Sequence, residues 1–134
     1  MITKMIQVKT NKHVEMIDIT SKVQNIIESE GVEDGICTVF IPHTTAGVTI
    51  NENADPDVTR DMLMEMNKIV PLKDGYRHME GNSAAHIKSS MMGFSETIII
   101  KEGRLLLGTW QGIYFCEFDG PRNRKTMINI IIEK

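Results

Sequence analysis

One stretch decides the fold class: Thr97-Ile98-Ile99-Ile100-Lys101-Glu102-Gly103-Arg104-Leu105-Leu106-Leu107. Two apolar runs flank a Glu-Gly dipeptide, and this pattern predicts a β-hairpin with a tight turn. Two further apolar runs of strand length follow, at residues 113–118 and 127–132. Because short turns join successive strands, the carboxyl half is expected to form antiparallel sheet.

The amino half adds four predicted strands. Apolar and polar side chains alternate in residues 2–8 and 14–19, and a polar Asn11-Lys12 turn lies between them. This alternation predicts that the chain opens with a β-hairpin. Residues 35–42 are predicted to form a buried strand, and residues 48–51 form the next one.

Three helices are predicted between these strands. Thr20 or Ser21 is expected to cap the first helix, which ends at Gly31. Asp55-Pro56 begins the second, because an aspartate accepts hydrogen bonds from first-turn amides and a proline there loses none. The third covers residues 83–92. The side chains expected to face the core are Val58, Met62, Met66 and Ile69 in the second helix, and Ala84, Ile87 and Met91 in the third.

These elements and the composition predict a single domain that spans residues 1–134. The chain is 41% hydrophobic, which is enough for one core at this length. Strands and helices do not alternate strictly along the sequence. The fold class is therefore expected to be α+β, with mostly antiparallel strands and flanking helices.

Charge and cysteine content restrict the partners and the compartment. A net charge of -3 gives no broad basic field, so we expect no nucleic-acid partner. The first ten residues mix lysines with apolar residues, and we expect neither a signal peptide nor a membrane segment. Cys37 and Cys116 lie in apolar runs and are expected to be buried thiols. We therefore expect a cytoplasmic protein.

The first of three polar patches surrounds the predicted strand at residues 48–51. It contains an imidazole, hydroxyls, amides and carboxylates, which suit a metal, a phosphate or a proton transfer. The alternative is turn chemistry, in which the threonines cap a turn and Asp55 caps a helix. The patch comprises His43, Thr44, Thr45, Asn51, Glu52, Asp55 and Asp57.

The second patch carries two of the four histidines. His78 lies in a predicted loop, and His86 lies in the first turns of a predicted helix, after Asn82. Histidine is the usual metal ligand and proton carrier at neutral pH. The spacing of the two is not a known zinc pattern, and a histidine taken alone is more often a surface or core residue than a ligand.

The third patch is a Gly-flanked turn that interrupts the β-rich half. Trp110 can stack on a planar ring, and Gln111 can bind donors and acceptors, although a core-anchoring tryptophan explains the same pattern. Further on, Glu117, Arg122 and Arg124 belong to a charged segment that is solvated by default. In the functional interpretation, one of the two arginines binds an anionic substrate.

Taken together, four sequence blocks resemble the signature of the YjbQ family, also called the secondary thiamine-phosphate synthase family. Their order and spacing match as well, and with Glu117-Phe118-Asp119-Gly120-Pro121-Arg122 the resemblance covers about nine tenths of the chain. The blocks are His43-Thr44-Thr45-Ala46-Gly47, Asn51-Glu52-Asn53-Ala54-Asp55-Pro56-Asp57-Val58, Gly81-Asn82-Ser83-Ala84-Ala85-His86-Ile87-Lys88 and Gly108-Thr109-Trp110-Gln111.

The resemblance implies a small β-sandwich with flanking helices that assembles as a homotrimer, with one site per subunit near an interface. The resemblance carries over as site residues, without individual roles, His43, Asn51, Glu52, Asp55, His78, His86, Trp110, Gln111 and Arg122. Together with the polar patches it gives candidate catalytic residues, His43, Glu52, His78 and His86, and candidate substrate-binding residues, Thr44, Thr45, Asn51, Asp55, Asn82, Trp110, Gln111 and Arg122.

The leading functional hypothesis comes from the family name. It is a transferase that joins hydroxymethylpyrimidine diphosphate to thiazole phosphate and gives thiamine phosphate, either as the main reaction or as a weak side activity. Such chemistry requires a divalent cation, cationic groups for phosphate and a flat apolar surface. Glu52 and Asp55 are expected to hold Mg²⁺, Arg122 to bind phosphate, and Trp110 to stack on the pyrimidine.

Two other classes of function remain open. In one, His43, His78 and His86 hold Zn²⁺ or another transition metal for hydrolase or lyase chemistry, with Glu52 or Glu80 as the base. In the other, the same polar residues form a non-catalytic binding module for a phosphorylated or heterocyclic metabolite. All three hypotheses predict a small-molecule ligand, and we expect a phosphorylated one.

Overall fold

Eight strands and three helices build the protein, in a computed structural model that describes all 134 residues. All strand pairs are antiparallel, which confirms the predicted α+β class. In chain order the elements are β1 (Ile2–Lys9), β2 (Glu15–Asp18), α1 (Thr20–Ser29), β3 (Gly35–Phe40), β4 (Ala46–Glu52), α2 (Pro56–Ile69), α3 (Ser83–Met92), β5 (Ser95–Lys101), β6 (Arg104–Leu105), β7 (Gln111–Glu117) and β8 (Asn123–Ile132).

The strands form two sheets that enclose the main core. One sheet has five strands in the order β1-β8-β3-β5-β6, and the other has three in the order β2-β7-β4. Alternate side chains of each strand point inward, so Ile128 and Ile130 of β8 share one apolar cluster with Ile113 and Phe115 of β7. Both cysteines are buried, as predicted. No helix combines the length and the apolar character that a membrane crossing requires.

The predicted opening hairpin is wrong, although both of its strands are present. β1 pairs with β8, so that Ile6 lies opposite Thr126, whereas β2 pairs with β7 in the other sheet. The polar turn between them therefore crosses from one sheet to the other. The hairpin of β5 and β6 is confirmed, and Glu102 and Gly103 both have positive φ, as its tight turn requires.

The start of α1 differs from the prediction. Thr20 is the first helical residue and the helix has no side-chain cap. Asp18 Oδ1 instead accepts hydrogen bonds from the backbone N–H and the hydroxyl of Thr20, at 2.9 and 2.5 Å. The end is as predicted, because Gly31 follows the helix with a φ of 64°.

The start of α2 is confirmed, but its predicted core face is not. Asp55 Oδ1 accepts a hydrogen bond from the backbone N–H of Asp57 at 2.9 Å. No residue of α2 is fully buried. Its apolar side, including Val58, Met62 and Met66, is only half-buried, and Ile69 is 59% exposed. The helix covers the edge of a small second apolar cluster instead of entering the main core.

The bounds of α3 match the prediction, and Ala84 is buried, whereas Ile87 and Met91 are exposed. The small side chains of the helix face the protein. Gly47 of β4 explains this arrangement, since a Cβ there would lie 2.7 Å from the carbonyl oxygen of Gly93. Close contact between α3 and β4 selects small residues over large ones at this face.

Candidate functional site

A polar cleft lies beside the segment that connects β3 to β4 in the other sheet, near the start of α3. Its volume of about 490 Å³ is in the range of small-molecule sites. Apart from one proline ring, all of its side chains are polar or charged. The lining residues are Pro42, His43, Thr44, Thr45, His78, Glu80, Asn82, His86, Arg122 and Arg124.

The cleft brings together seven of the predicted site residues and leaves out five. The seven are His43, Thr44, Thr45, His78, Asn82, His86 and Arg122. The five that lie elsewhere are Asn51, Glu52, Asp55, Trp110 and Gln111. The pairing of β4 with β7 explains the division, because Ala46 faces Glu117 at one end and Glu52 faces Gln111 at the other. At about 3.3 Å per residue, the ends of this strand are roughly 20 Å apart.

A buried ion pair between Glu117 and Arg124 supports the floor of the cleft. Both side chains are almost fully buried. Oε1 of Glu117 accepts hydrogen bonds from Arg124 Nε at 2.9 Å and from Thr10 Oγ1 at 2.7 Å, and Oε2 accepts from the backbone N–H of Asp119 at 3.0 Å. Burial raises the pKa of Glu117, but bonds from Arg124, Asp119 and Thr10 outweigh it and hold the pKa below its ordinary value.

Arg124 is held in one orientation by these contacts. Its Nη2 also donates to Thr45 Oγ1 at 2.8 Å and to the Thr45 carbonyl oxygen at 3.2 Å. None of its hydrogen bonds uses Nη1, and Arg124 lines the cleft. Nη1 is therefore the one nitrogen of this guanidinium that has no hydrogen-bond partner within the protein.

Asp119 orients two of the residues that line the cleft, Asn82 and Arg122. It accepts hydrogen bonds from Asn82 Nδ2 at 2.8 Å and from Arg122 Nη2 at 3.0 Å, while Arg122 Nε donates to its carbonyl oxygen at 2.9 Å. Arg122 is thereby held while half of its side chain stays exposed. The Oδ1 atom of Asn82 is buried and has no hydrogen-bond partner in the protein.

His43 is a neutral histidine of defined tautomer. Its Nε2 accepts a hydrogen bond from the backbone N–H of Lys125 at 2.9 Å, so the ring proton is on Nδ1. Partial burial lowers the pKa of His43, and the positive charge of Arg124 lowers it further. His43 can therefore donate a hydrogen bond from Nδ1 to a ligand at neutral pH.

His78 and His86 lie next to each other, as the sequence patch suggested. Their ring centroids are 5.5 Å apart and the rings are nearly perpendicular, at 85°. His78 is exposed on its loop, and His86 is half-buried on α3. Both imidazoles line the cleft, as His43 does.

The three histidines do not fit a metal centre within one chain. No three His, Cys, Asp or Glu side chains are spaced to hold a metal ion. The lone pair of His43 Nε2 is already engaged, and its Nδ1 carries the proton. Glu52 Oε2 accepts a hydrogen bond from the backbone N–H of Asp55 at 3.2 Å, next to the α2 cap. Binding of Mg²⁺ by the carboxylates of Glu52 and Asp55 stays a prediction.

The sequence predicts Arg122 or Arg124 as an anion-binding residue in a segment that is solvated by default, but it does not predict the buried pair of Glu117 and Arg124. A signal was present. Residues 124, 126, 128 and 130 of β8 are all buried in alternation, so Arg124 occupies an inward position in a series that continues with Thr126, Ile128 and Ile130. A charge at such a position requires a buried partner, and the nearby Glu117 is its ion-pair partner.

Comparisons with known proteins agree over almost the whole chain. Residues 4–133 match the family model described as UPF0047 protein YjbQ-like. UPF0047 protein YugU of Bacillus subtilis is 54% identical over 96% of this chain and 98% of its own length. UPF0047 protein MJ1081 of Methanocaldococcus jannaschii is also 54% identical, over 96% of this chain and 93% of its own.

Solved structures give the same result for the fold. An uncharacterized conserved protein of the yjbq/upf0047 family from Clostridium acetobutylicum is similar with a TM-score of 0.93 and 57% identity, over 96% of this chain and 99% of that one. The hypothetical protein APE1520 from Aeropyrum pernix K1 has a TM-score of 0.95 and 35% identity, over 99% and 100% of the two chains.

Proposed function

The chain belongs to the UPF0047 YjbQ-like family, and we propose that it is a small-metabolite enzyme whose polar cleft binds a phosphate group beside proton-transferring histidines. One observation carries the proposal. Arg124 is fixed by a buried carboxylate, its Nη1 has no partner within the protein, and the residue lines the same cleft as Arg122 and three imidazoles.

Phosphate is the ligand group that these donors favour. Hydrogen bonds from a guanidinium to phosphate oxygens are strengthened by charge, and an arginine held in place loses little entropy on binding. Thr44 and the Nδ1–H of His43 add neutral donors at the same cleft. An apolar ligand would leave these polar groups without partners, which disfavours it.

The histidine pair supports proton transfer as the chemistry. Imidazole is the side chain whose ordinary pKa suits both acid and base roles near neutral pH. His86 is half-buried at the cleft, and the ring of His78 lies beside it. We propose His86 as the residue that transfers a proton to or from the bound ligand.

Formation of thiamine phosphate stays a prediction from the family resemblance. It requires a flat apolar surface for the pyrimidine, and Trp110 is the residue expected to supply it. Trp110 adjoins the far end of β4, roughly 20 Å from the cleft by strand length. Joint use of Trp110 and the cleft therefore requires the Trp110 of a second copy of the chain.

Self-association into the homotrimer implied by the family is part of this proposal. Three exposed isoleucines, Ile36, Ile99 and Ile131, are neighbours across the outer face of the five-stranded sheet. A contiguous apolar row of this kind on an uncovered sheet face is typical of an interface. The row supports assembly through that face.

Calorimetric titration with inorganic phosphate and glycerol 3-phosphate tests the binding step. We expect Arg122→Met to weaken the affinity about ten-fold or more, because charge-assisted hydrogen bonds are lost. Arg60→Met is the matched control, since Arg60 is exposed on α2, outside the cleft. Wild-type protein that binds neither compound, or an Arg122→Met variant that binds as well as wild type, would refute the proposal.

Turnover separates an enzyme from a binding module. Wild type and His86→Gln are to be assayed on a panel of phosphate esters, and on the pyrimidine and thiazole phosphates with added Mg²⁺. We expect His86→Gln to lose turnover at least a hundred-fold while it keeps phosphate binding, as for a general acid or base. Phosphate binding without turnover on any substrate would favour the non-catalytic alternative.

A further inference from the structure

A second pocket adjoins the polar cleft, and the two share Glu80 and Asn82 as lining residues. The second pocket differs in character, because nearly half of its lining is apolar. It lies between α2, α3 and the segment that follows β7. Lys88 of α3 and Asn67 of α2 are part of its wall.

Lys88 is a buried cation without a counter-ion. Its side chain is 4% exposed, and Nζ donates to Asn67 Oδ1. None of the ion pairs in the protein includes Lys88. Lysine is almost never fully buried unless it is paired, because an uncompensated charge in the interior is unfavourable. An anionic ligand would supply the missing partner.

Asn82 adds an unused acceptor at the boundary of the two pockets. Its Nδ2 donates to Asp119, which fixes the orientation of the amide, and its Oδ1 is buried without a partner. Such an atom requires a donor, and a ligand hydroxyl fits this role. Asp119 and Glu80 also line this pocket, but neither forms an ion pair with Lys88, and Asp119 is paired with Arg122.

We propose that this pocket is the second half of the substrate site: Lys88 binds a carboxylate, and Asn82 accepts a hydrogen bond from a neighbouring hydroxyl. The inference rests on the proposed phosphate site in the cleft, and it narrows the substrate class to phosphorylated hydroxy acids. Phosphate, hydroxyl and carboxylate follow in that order from the cleft to the pocket. The apolar walls accommodate the carbon chain.

The test compares three ligands that share a phosphate. Glycerol 3-phosphate lacks the carboxylate, 3-phosphoglycerate has it, and 4-phosphoerythronate has it one carbon further away. Calorimetric titration of the full chain is expected to show one of the two acids binding about ten-fold or more tightly than glycerol 3-phosphate. Lys88→Met should remove this advantage and leave the affinity for glycerol 3-phosphate unchanged.

Two further variants complete the design. Lys88→Gln removes the charge but keeps a polar group near Asn67, so it replaces Lys88→Met if that variant fails to fold. Lys22→Met, on the exposed side of α1, controls for the loss of one positive charge. Equal affinity of wild type for all three phosphates would overturn the inference and leave the phosphate site intact. Absence of binding by any of them would overturn both.

Discussion

At the scale of single residues, the cleft depends on Glu117 more than on any group that faces a ligand. The carboxylate is fully buried, and its four hydrogen bonds orient Arg124, the backbone of Asp119 and the hydroxyl of Thr10. Removal of one partner of such a pair leaves an uncompensated buried charge. Glu117 therefore contributes both to the geometry of the cleft and to the stability of the fold.

Glu117→Gln is expected to destabilise the protein by about 3 kcal/mol or more at pH 7. The folded pKa of Glu117 is lowered, so its stabilisation is present above the ordinary pKa of 4.5 and is lost as the pH falls below that value. The difference between wild type and Glu117→Gln should shrink on acidification from pH 7 towards pH 3. Urea unfolding at several pH values measures it.

Glu65→Gln provides the comparison, because Glu65 is exposed on α2 and takes part in no ion pair. It should change the free energy of unfolding by less than about 0.5 kcal/mol. A pH-independent difference between wild type and Glu117→Gln would contradict the role given to the buried carboxylate.

Residue roles that depend on neighbours in the sequence were predictable. Asp55 was recognised as a helix cap because aspartate and proline adjoin, and the structure has that bond. Arg124 and Lys88 were not recognised as buried, since the partners Glu117 and Asn67 come from other elements. Burial of a charge depends on those distant residues.

At the scale of elements, the contact between α3 and β4 determines where the cleft residues lie. α3 carries Asn82 at its amino end and His86 one turn later, and Gly47 allows β4 to approach the helix closely. Strand and helix positions were predictable from periodicity within each segment. Strand partners were not, because a period of two residues shows that a strand has two faces but not which neighbour it pairs with.

Gly47→Ala is expected to lower the free energy of unfolding by about 1–3 kcal/mol and to weaken phosphate binding, because the new Cβ clashes with the backbone at Gly93 and displaces α3. Gly108→Ala is the control, since the atoms nearest to its Cβ belong to the flexible end of the Gln111 side chain. Thermal unfolding and phosphate titration of both variants measure the effects. A stable Gly47→Ala variant with full affinity would show that helix and strand can separate without cost.

At the scale of the whole molecule, the two sheets differ in how they are covered. The outer face of the five-stranded sheet exposes Ile36, Ile99 and Ile131 in one row. The row could not be predicted from the sequence, because it depends on the register of three strands that are far apart in the sequence. The family resemblance implies an assembly, and this row is the surface that we propose for it.

Ile36→Glu is expected to convert an assembly to a monomer of 15.2 kDa, because it places a charge in the middle of the apolar row. Light scattering after size-exclusion chromatography measures the mass. Lys22→Glu on α1 should leave the mass unchanged. A wild-type mass of one chain, or an Ile36→Glu variant that assembles as wild type does, would exclude this face as the interface.

The shallow seating of α2 has a consequence for how the molecule opens. A helix with no fully buried residue has little apolar contact with the rest of the protein, so we expect α2 to unfold locally at low free energy while both sheets stay intact. Its link to α3 runs through Asn67 and Lys88. Local opening of α2 would uncover the second pocket. A ligand bound at Lys88 would favour the closed position of the helix, so that ligand binding and the opening of α2 would be coupled in one equilibrium.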